Sequence, residues 1–446
     1  MNLHRLLLER EAASRPVRVV LVGAGKFGSM YLSQARRTPG IHLLAVCDLA
    51  PERAKASLLR TGWEADRLAA RSFDDAIAHG TTFLTDDTAA AIAHGATEVV
   101  IDATGSPAAG VAHVLACCKH GKHIVMVNVE ADALAGPILA RMARQSGIVY
   151  SLAYGDQPAL ICEQVDWART AGFEVVGAGK GTKYLPAYHA STPETVWGHY
   201  GFSPEMVAQG DFNAQMFNSF LDGTKSGIEM AAVANATGLR AAPGGLDFPP
   251  CGVDDLARVL KPKADGGQLH HRGQVEVISS IERDGRPVFR DLRWGVYVTF
   301  AAGHEYVRKC FREYGIVTDP SGEYASMYKP SHLIGLELGI SVASVALRKE
   351  ATGAATGFRG DCVATAKRDL KAGETLDGEG GYTVWGKLMP AADSIAAKAL
   401  PIGLAHKVKL VRDVPAGRAV SWDDVTVDET MEAVRIRREM EREGAA

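Results

Sequence analysis

The chain lacks several features that would point to particular classes of protein. Its seven cysteines are scattered along 446 residues without a Cys-x-x-Cys pair. An odd, unpatterned set of cysteines is typical of reduced thiols in a cytoplasm and argues against a zinc site. The formal net charge is only -3, so no basic field is present to attract nucleic acid or anionic membranes.

Long apolar runs are also missing. The longest one after the N-terminal region, residues 333–347, contains Glu337 and is too short to span a bilayer. Residues 1–16 are interrupted by Glu9 and Glu11 and are followed by no cleavage site, which predicts a short amphipathic helix instead of a signal peptide. We therefore expect a cytoplasmic protein, and its length predicts two or three domains.

What the sequence does contain is a glycine-rich turn between a buried strand and a helix. Residues 17–22 are nearly all apolar, residues 23–28 are Gly-Ala-Gly-Lys-Phe-Gly, and residues 29–37 have a helical pattern. This order of strand, Gly-x-Gly-x-x-Gly and helix predicts a dinucleotide site. The alternative is a glycine turn in an ordinary α/β protein.

Each residue of the turn has a predicted role. Gly23 permits the tight turn, Gly25 lets the backbone approach a pyrophosphate, and Gly28 lets the helix pack closely on the strand. The first backbone amides of the helix, around Lys26 and Phe27, are then expected to face the phosphates at the positive end of the helix dipole.

An acidic residue follows the second predicted strand. Residues 41–47 are apolar except for His42 and are followed directly by Asp48, about 20 residues past Gly28. A carboxylate at this place accepts hydrogen bonds from the ribose hydroxyls and repels a 2′-phosphate, so NAD is favoured over NADP. Arg53 is near enough in sequence to keep NADP as the second possibility.

Three further predicted strands alternate with helices, at residues 98–105, 123–128 and 147–152. This spacing predicts an α/β fold in which residues 1–155 form a Rossmann domain with a doubly wound parallel sheet. Ligands of such sheets bind at the carboxyl ends of the strands. The candidates for contact with the cofactor at those ends are Thr104, Gly105 and Asn128.

The pattern changes after residue 155. We predict an α+β catalytic domain at residues 156–358, with a long helix over 212–237 that has a possible break at Asp222–Gly223. From residue 359 to 430 a theme occurs twice: an apolar strand, a basic residue, Asp, an apolar residue and a turn before Gly. Residues 431–446 are expected to be a charged tail, helical at most.

The predicted long helix carries two charged candidates. Lys225 and Glu229 are four residues apart and share one helix face. Lys225 could hold a substrate oxygen or exchange its proton, with Glu229 tuning it; the alternative is a surface ion pair. The flanking residues are small or apolar, so the helix is expected to be buried, and this favours a functional role.

Further candidates lie elsewhere. Lys180 and Lys183 are placed in a Gly-rich loop that would suit an anionic group, or would be a solvated basic turn. Glu130 and Asp132 could ligate a divalent metal ion, bind substrate hydroxyls or supply a base. Their alternative is helix capping by Asp132 with Glu130 as a dipole partner. The adjacent histidines at 270 and 271 are not expected to bind a metal ion without further partners.

Two stretches, residues 127–132 and 222–239, resemble the homoserine-dehydrogenase-like oxidoreductases, in the branch similar to deoxyxylulose-phosphate reductoisomerase. The repeated C-terminal theme resembles the small β-rich SAF module. The resemblance implies hydride transfer to a carbonyl, sometimes with isomerisation, in a homo-oligomer. The reductoisomerase after which that branch is named uses NADPH, whereas Asp48 favours NAD in this chain. Homoserine oxidation is disfavoured because Val129 and Glu130 follow Asn128 where those enzymes have a lysine.

The function that we predict is an NAD(P)-dependent oxidoreductase, NAD-linked, that acts on a polyhydroxylated carbonyl or sugar-acid substrate. One alternative is an NADPH-dependent reductoisomerase of isoprenoid precursor synthesis. A second alternative is a sensor that binds a dinucleotide without catalysis.

Overall fold

The computed structural model describes residues 2–209 and 212–444, and these form two compact units. The first contains the described residues up to Leu160 together with residues 332–356. The second contains the described residues of 161–331 and of the C-terminal segment from Gly357 onward. This division differs from the predicted boundaries, because residues 332–356 lie in the first unit and the C-terminal segment is grouped with the catalytic region.

The secondary-structure elements are numbered along the chain. The strands are β1 Val17–Val22, β2 Ile41–Cys47, β3 Phe83–Thr85, β4 Val99–Asp102, β5 His123–Met126, β6 Tyr150–Leu152, β7 Glu174–Thr182, β8 Gln274–Ser279, β9 Val296–Ala301, β10 Tyr324–Lys329, β11 Gly360–Ala366, β12 Thr375–Asp377, β13 Val384–Pro390, β14 His406–Leu410 and β15 Val425–Thr426. The α-helices are α1 Leu3–Ala12, α2 Lys26–Ala35, α3 Pro51–Arg60, α4 Phe73–His79, α5 Thr88–Ala93, α6 Pro107–His120, α7 Val129–Gln145, α8 Gln157–Thr170, α9 Val196–Tyr200, α10 Pro204–Gln209, α11 Ala214–Leu221, α12 Thr224–Thr237, α13 Leu256–Val259, α14 Glu305–Glu313, α15 Gly339–Ala343, α16 Ala391–Ala396 and α17 Glu432–Gly444.

The first unit is built on a six-stranded sheet with the strand order β3-β2-β1-β4-β5-β6. All neighbouring strands are parallel. The apolar runs become strands because helices cover both faces of such a sheet, and β1 is buried at every residue except Arg18. The predicted doubly wound Rossmann fold is confirmed. The strand order reverses between β1 and β4, which is where ligands bind in this fold.

Residues 332–356 complete the core of the first unit. Leu338, Val342 and Val345 are buried in the same cluster as the apolar residues of β1 and β4. A backbone hydrogen bond also joins this segment to β6, since the Leu152 amide donates to the Gly353 carbonyl at 2.7 Å. The apolar stretch at residues 333–347 therefore belongs to the Rossmann core, although it lies far from the other core residues in sequence.

The second unit contains a four-stranded sheet with the order β10-β9-β7-β8. Strands β7 and β8 are parallel, and β9 runs antiparallel to β7 and to β10. The predicted break at Asp222–Gly223 is confirmed, because α11 ends at Leu221 and Gly223 has a φ of 95°. Helix α12 is buried at every residue except Ala236.

The C-terminal segment forms a β11–β13 pair and a small β12–β14–β15 sheet. The two copies of the repeated theme pair with each other, because Leu370 and Val414 exchange two backbone hydrogen bonds of 2.9 Å. Asp369 accepts from the Ala416 amide and Asp413 accepts from the Ala372 amide, both at 2.9 Å. The repeated aspartate thus makes the same contact in each copy, and the contacts between the two copies are reciprocal. The likeness to a SAF module stays a prediction.

The last described segment, predicted to be a charged tail and helical at most, is a helix with buried residues. In α17, Arg437 is fully buried and donates to Asp361 at 3.0 Å and to Glu441 at 2.8 Å. A buried arginine is tolerated only with such partners. Ala445 and Ala446, the end of the predicted tail, lie outside the described residues. Within the described ranges, no helix has the length and apolar character needed to cross a bilayer.

Candidate functional site

The glycine turn of the first unit leaves an open surface at the start of α2. Gly23 has a φ of 93°, and a Cβ there would lie 2.8 Å from the Ala103 carbonyl oxygen. A Cβ at Gly28 would collide with the carbonyl oxygen of Gly23, whereas a Cβ at Gly25 would meet nothing within 4 Å. The fold therefore requires Gly23 and Gly28. Gly25 instead leaves free space, as the predicted approach of a pyrophosphate needs.

The first turn of α2 borders this space. Gly25 is its N-cap and makes no side-chain capping bond, Lys26 is exposed, and Phe27 is half-buried. The first amides of a helix have no partner within it and carry the positive end of the dipole. The residues present thus fit the diphosphate of a dinucleotide.

Asp48 lies at the end of β2, beside the glycine turn. Its Oδ2 accepts from the Ala24 amide at 3.0 Å, and its Oδ1 accepts from the Ala50 amide at 3.0 Å and from Arg53 at 2.8 Å. Burial opposes ionisation, but the two amides and the Arg53 guanidinium outweigh it and lower the pKa of Asp48. Asp48 is therefore a fixed anion at the place predicted for a ribose contact.

The turns after β4 and β5 are held together by side chains. Thr104 donates from its amide and its hydroxyl to Asp102 Oδ1, at 2.9 and 2.7 Å. Asn128 donates to the Thr104 hydroxyl at 3.2 Å and caps α7 by accepting from the Ala131 amide at 3.2 Å. Gly105 completes the turn with a φ of 65°. Asn128 thus shapes the carboxyl edge of the sheet.

The alternative role predicted for Asp132, capping of α7, is wrong, because Asn128 is the N-cap. Asp132 is fully buried and accepts from the Tyr150 hydroxyl at 2.7 Å, and its Oδ2 has no hydrogen-bond partner among the described residues. Burial raises its pKa to about 6. This enclosure gives no support to a role in binding a metal ion or substrate hydroxyls. Glu130, in the first turn of α7, is half-buried and well placed to complement the helix dipole.

The predicted Gly-rich loop around Lys180 is wrong, because β7 continues through Thr182 in register with β8 and β9. A Cβ at Gly179 would collide with the Glu276 carbonyl, and a Cβ at Gly181 would collide with the Leu292 carbonyl. Gly179 and Gly181 are therefore strand residues, and glycine is needed there because the backbone of neighbouring segments lies too close for a side chain. Lys180 is therefore a buried residue of a central strand.

Lys183 follows directly after β7. Its ammonium donates to the His199 carbonyl at 2.6 Å. Burial and the nearby Arg293 lower the pKa of Lys183. This lysine supports the segment after the strand.

Three buried charged residues of the second unit lie on β7 and on one face of α12, and we call them the lysine–glutamate cluster: Lys180, Lys225 and Glu229. Lys180 Nζ donates to Glu229 Oε2, and the two side chains are only 7% and 4% exposed. Lys225 is buried one turn before Glu229 on α12. The helix face is as predicted, but the sequence did not show that a strand residue 49 positions away would be the partner of Glu229. Charges buried in this way are costly unless they are paired, and they are frequent at functional sites.

The sequence interpretation missed other buried charges in the second unit. Glu276 on β8 is fully buried, which raises its pKa to about 8 although the Val277 amide donates to it at 2.8 Å. Asp222 pairs with Lys367 at 2.8 Å in the interior. A glutamate within the apolar run of β8 was the available signal for Glu276. The described residues contain no group of three or more His, Cys, Asp or Glu side chains that could hold a metal ion.

Comparison with protein families assigns a cofactor-binding region and a catalytic region to different parts of the chain. Residues 17–127 match the GFO/IDH/MocA profile, described as the oxidoreductase family with an NAD-binding Rossmann fold. Residues 155–338 match a profile described as the catalytic domain of oxidoreductase DRL. The chain is thus an NAD(P)-dependent oxidoreductase with a nicotinamide-cofactor domain and a separate catalytic region.

Solved structures give distant similarities, and a search of curated proteins finds no significant match. An oxidoreductase from Agrobacterium radiobacter, in complex with NAD+, L-tartaric acid and magnesium, is 18% identical over 38% of this chain and 44% of that one, with a TM-score of 0.26. The 1-deoxy-D-xylulose 5-phosphate reductoisomerase from Zymomonas mobilis, in complex with NADPH, is 17% identical over 49% and 57%, with a TM-score of 0.34. The myo-inositol dehydrogenase from Lactobacillus casei, in complex with NAD(H) and myo-inositol, is 16% identical over 41% and 50%, with a TM-score of 0.28. The chain spans about half the length of these proteins.

The two glycines of the turn give a matched test of the cofactor surface. We expect Gly25→Ala to keep the melting temperature within about 2 °C, because its methyl group enters open space, and to abolish the rise in melting temperature caused by NAD. Gly28→Ala should lower the melting temperature without ligand, because its methyl group collides with Gly23. Equal NAD-dependent stabilisation of Gly25→Ala and the unmodified chain would contradict the assignment.

The buried Asp132 predicts a pH dependence of stability. Its pKa rises from 3.8 in the unfolded chain to about 6 in the folded one, so stability that is present below pH 4 is lost as the pH rises through about 6. The Asp132→Asn variant cannot ionise at this position. Between pH 4 and pH 8, its free energy of unfolding should therefore increase by about 3 kcal/mol relative to that of the unmodified chain. Urea unfolding at both pH values measures this, with the exposed Asp86→Asn as control. A pH-independent difference would show that Asp132 has an ordinary pKa.

Proposed function

We propose that this oxidoreductase is NAD-linked and transfers a hydride to or from a carbon that bears a hydroxyl or carbonyl group in a polyhydroxylated or sugar-acid substrate. The observation that carries the proposal is the lysine–glutamate cluster, which lies within the residues that match an oxidoreductase catalytic domain. Its ammonium and carboxylate groups suit a substrate with several hydroxyl groups and a carboxylate.

The first unit supplies the cofactor specificity. The open surface at Gly25 accommodates the diphosphate, and the fixed anion of Asp48 receives the ribose hydroxyls. Bound NAD supplies the hydride acceptor or donor. Asp48 would repel a 2′-phosphate, and its contact with Arg53 satisfies the guanidinium that a 2′-phosphate would need.

The second unit supplies the proton chemistry. Lys225 exchanges the proton of the reacting substrate oxygen: it takes the proton when the hydroxyl is oxidised and returns it when the carbonyl is reduced. Glu229 lies one turn away on the same helix face, and its ion pair with Lys180 fixes its position. Lys180 therefore acts as a positioning residue in this proposal.

Removal of the Asp48 carboxylate tests the cofactor preference. We expect NAD to bind more tightly than NADP to the unmodified chain, and Asp48→Ser to weaken NAD about 10- to 100-fold because charged hydrogen bonds are lost. NADP affinity should be unchanged or higher in the variant. Titration calorimetry measures both, with the exposed Glu52→Gln as the neighbouring control. Tight binding of NADP alone to the unmodified chain would contradict the proposal.

Removal of the Lys225 amine tests the chemistry. With NAD and a panel of sugar acids, aldonates and polyols, we expect formation of NADH by the unmodified chain and a loss of about 100-fold or more in kcat for Lys225→Met. NAD binding should be retained, since the variant leaves the first unit unchanged. Lys261→Met is the matched control, because Lys261 is another buried lysine of the second unit, paired with Asp319 at 2.9 Å.

The other outcomes separate the alternatives. Turnover of deoxyxylulose phosphate with NADPH, and of no panel compound with NAD, would replace the proposal with a reductoisomerase. Binding of NAD without turnover of any compound would favour a dinucleotide sensor. An equal loss of kcat in Lys225→Met and Lys261→Met would show that removing any buried lysine of this unit impairs folding, and not that Lys225 takes part in the chemistry.

A further inference from the structure

The second unit contains a cavity of about 460 Å³ that the proposed function does not use. Its polar lining consists of Arg240, Arg359, His270 and His271, and we call it the arginine–histidine cavity. No aspartate or glutamate is among its lining residues. A concave surface with two arginines and no acidic residue is a candidate site for an anion.

The positive groups are not used elsewhere in the fold. Neither the Arg240 nor the Arg359 guanidinium forms a hydrogen bond or ion pair with any residue in the described ranges. His271 Nε2 is buried and likewise has no hydrogen-bond partner there, while its Nδ1 lies 3.3 Å from that of His270. Burial, Arg240 and His270 all lower the pKa of His271. Both guanidinium groups are exposed and so are available to a ligand, whereas the buried Nε2 of His271 lacks the partner that such a group usually has.

The rest of the lining is apolar and consists of Ala241, Pro243, Phe358, Pro390, Ala391 and Ala392. A cavity of this volume is within the range for small organic ligands. Such walls favour an anion that carries an apolar body over a fully hydrated inorganic ion, because apolar surface is then removed from water on both sides.

Backbone contacts fix this geometry. Asn235, near the end of α12, accepts from the Arg359 amide at 2.7 Å and from the Gly360 amide at 3.0 Å, and donates to the Gly360 carbonyl at 3.1 Å. Arg240 follows the helix C-terminus at Gly238 and is paired by backbone with the start of β8. The C-terminal segment and the catalytic sheet each contribute one arginine.

We propose that the arginine–histidine cavity binds an organic monocarboxylate whose apolar body packs against Phe358 and Ala391. The carboxylate lies between Arg240 and Arg359, and His271 Nε2 forms a third hydrogen bond with it. Arg240 lies three residues after the end of the helix that carries Lys225 and Glu229, and Asn235 of that helix holds the Arg359 backbone, so a bound ligand stabilises the C-terminal end of α12. The C-terminal segment thereby has a role that hydride transfer alone does not explain.

The test uses benzoate as the probe and the full chain without added nucleotide. We expect titration calorimetry to show one site for benzoate, and Arg240→Gln/Arg359→Gln to weaken it at least about 30-fold, because two charged contacts are lost. Arg258→Gln, an exposed arginine of the same unit, is the matched control and should bind as the unmodified chain does. Lys225→Met should also bind benzoate normally, which separates this site from the substrate site.

Several results would overturn the proposal. Benzyl alcohol, which has the same ring without the charge, would bind as well as benzoate if the arginines were irrelevant. Inorganic phosphate would bind where benzoate does not if the apolar wall were irrelevant. If the arginines serve only the C-terminal end of α12, the double variant would lose thermal stability while its benzoate titration stayed unchanged.

Discussion

The ion pair between Lys180 and Glu229 is the constraint on which the second unit depends. Both side chains are almost removed from water, and their ion pair offsets part of the cost of burying the two charges. Removing one partner of a buried ion pair typically costs about 3–5 kcal/mol. The pair therefore fixes the position of α12 on β7, and with it the face that carries Lys225.

The small residues of α12 follow from the same packing. A Cβ at Gly227 would lie 2.7 Å from the Gly386 carbonyl oxygen, and the Gly386 amide donates to the Thr224 hydroxyl at 2.8 Å. The C-terminal strands can thus approach one side of the helix only where side chains are absent or short. One helix therefore joins the catalytic sheet to the C-terminal segment, and larger residues on it would separate the two.

The sequence could predict the elements whose cause is local. The Gly-x-Gly-x-x-Gly turn, the apolar strands and the break before α12 are each specified by adjacent residues, and the structure confirms them. Lys180 was misplaced because glycines are rare in strands, and the crowding by the backbone of β8 that requires Gly179 comes from residues distant in sequence. The return of residues 332–356 to the Rossmann core and the burial of Arg437 are likewise long-range effects.

Asp48 and Asp132 show why roles were harder to predict than elements. Both are acids close to the carboxyl end of a strand in the same sheet, and both were candidates for ligand contact. Asp48 receives two backbone amides and a guanidinium, which lower its pKa, whereas Asp132 receives one hydroxyl group and has a raised pKa. The number of donors aimed at each carboxylate decides its charge, and that number is set by the turns around it. A fixed anion beside an open glycine turn can select a cofactor, while an enclosed acid of raised pKa mainly sets the pH range in which the fold is stable.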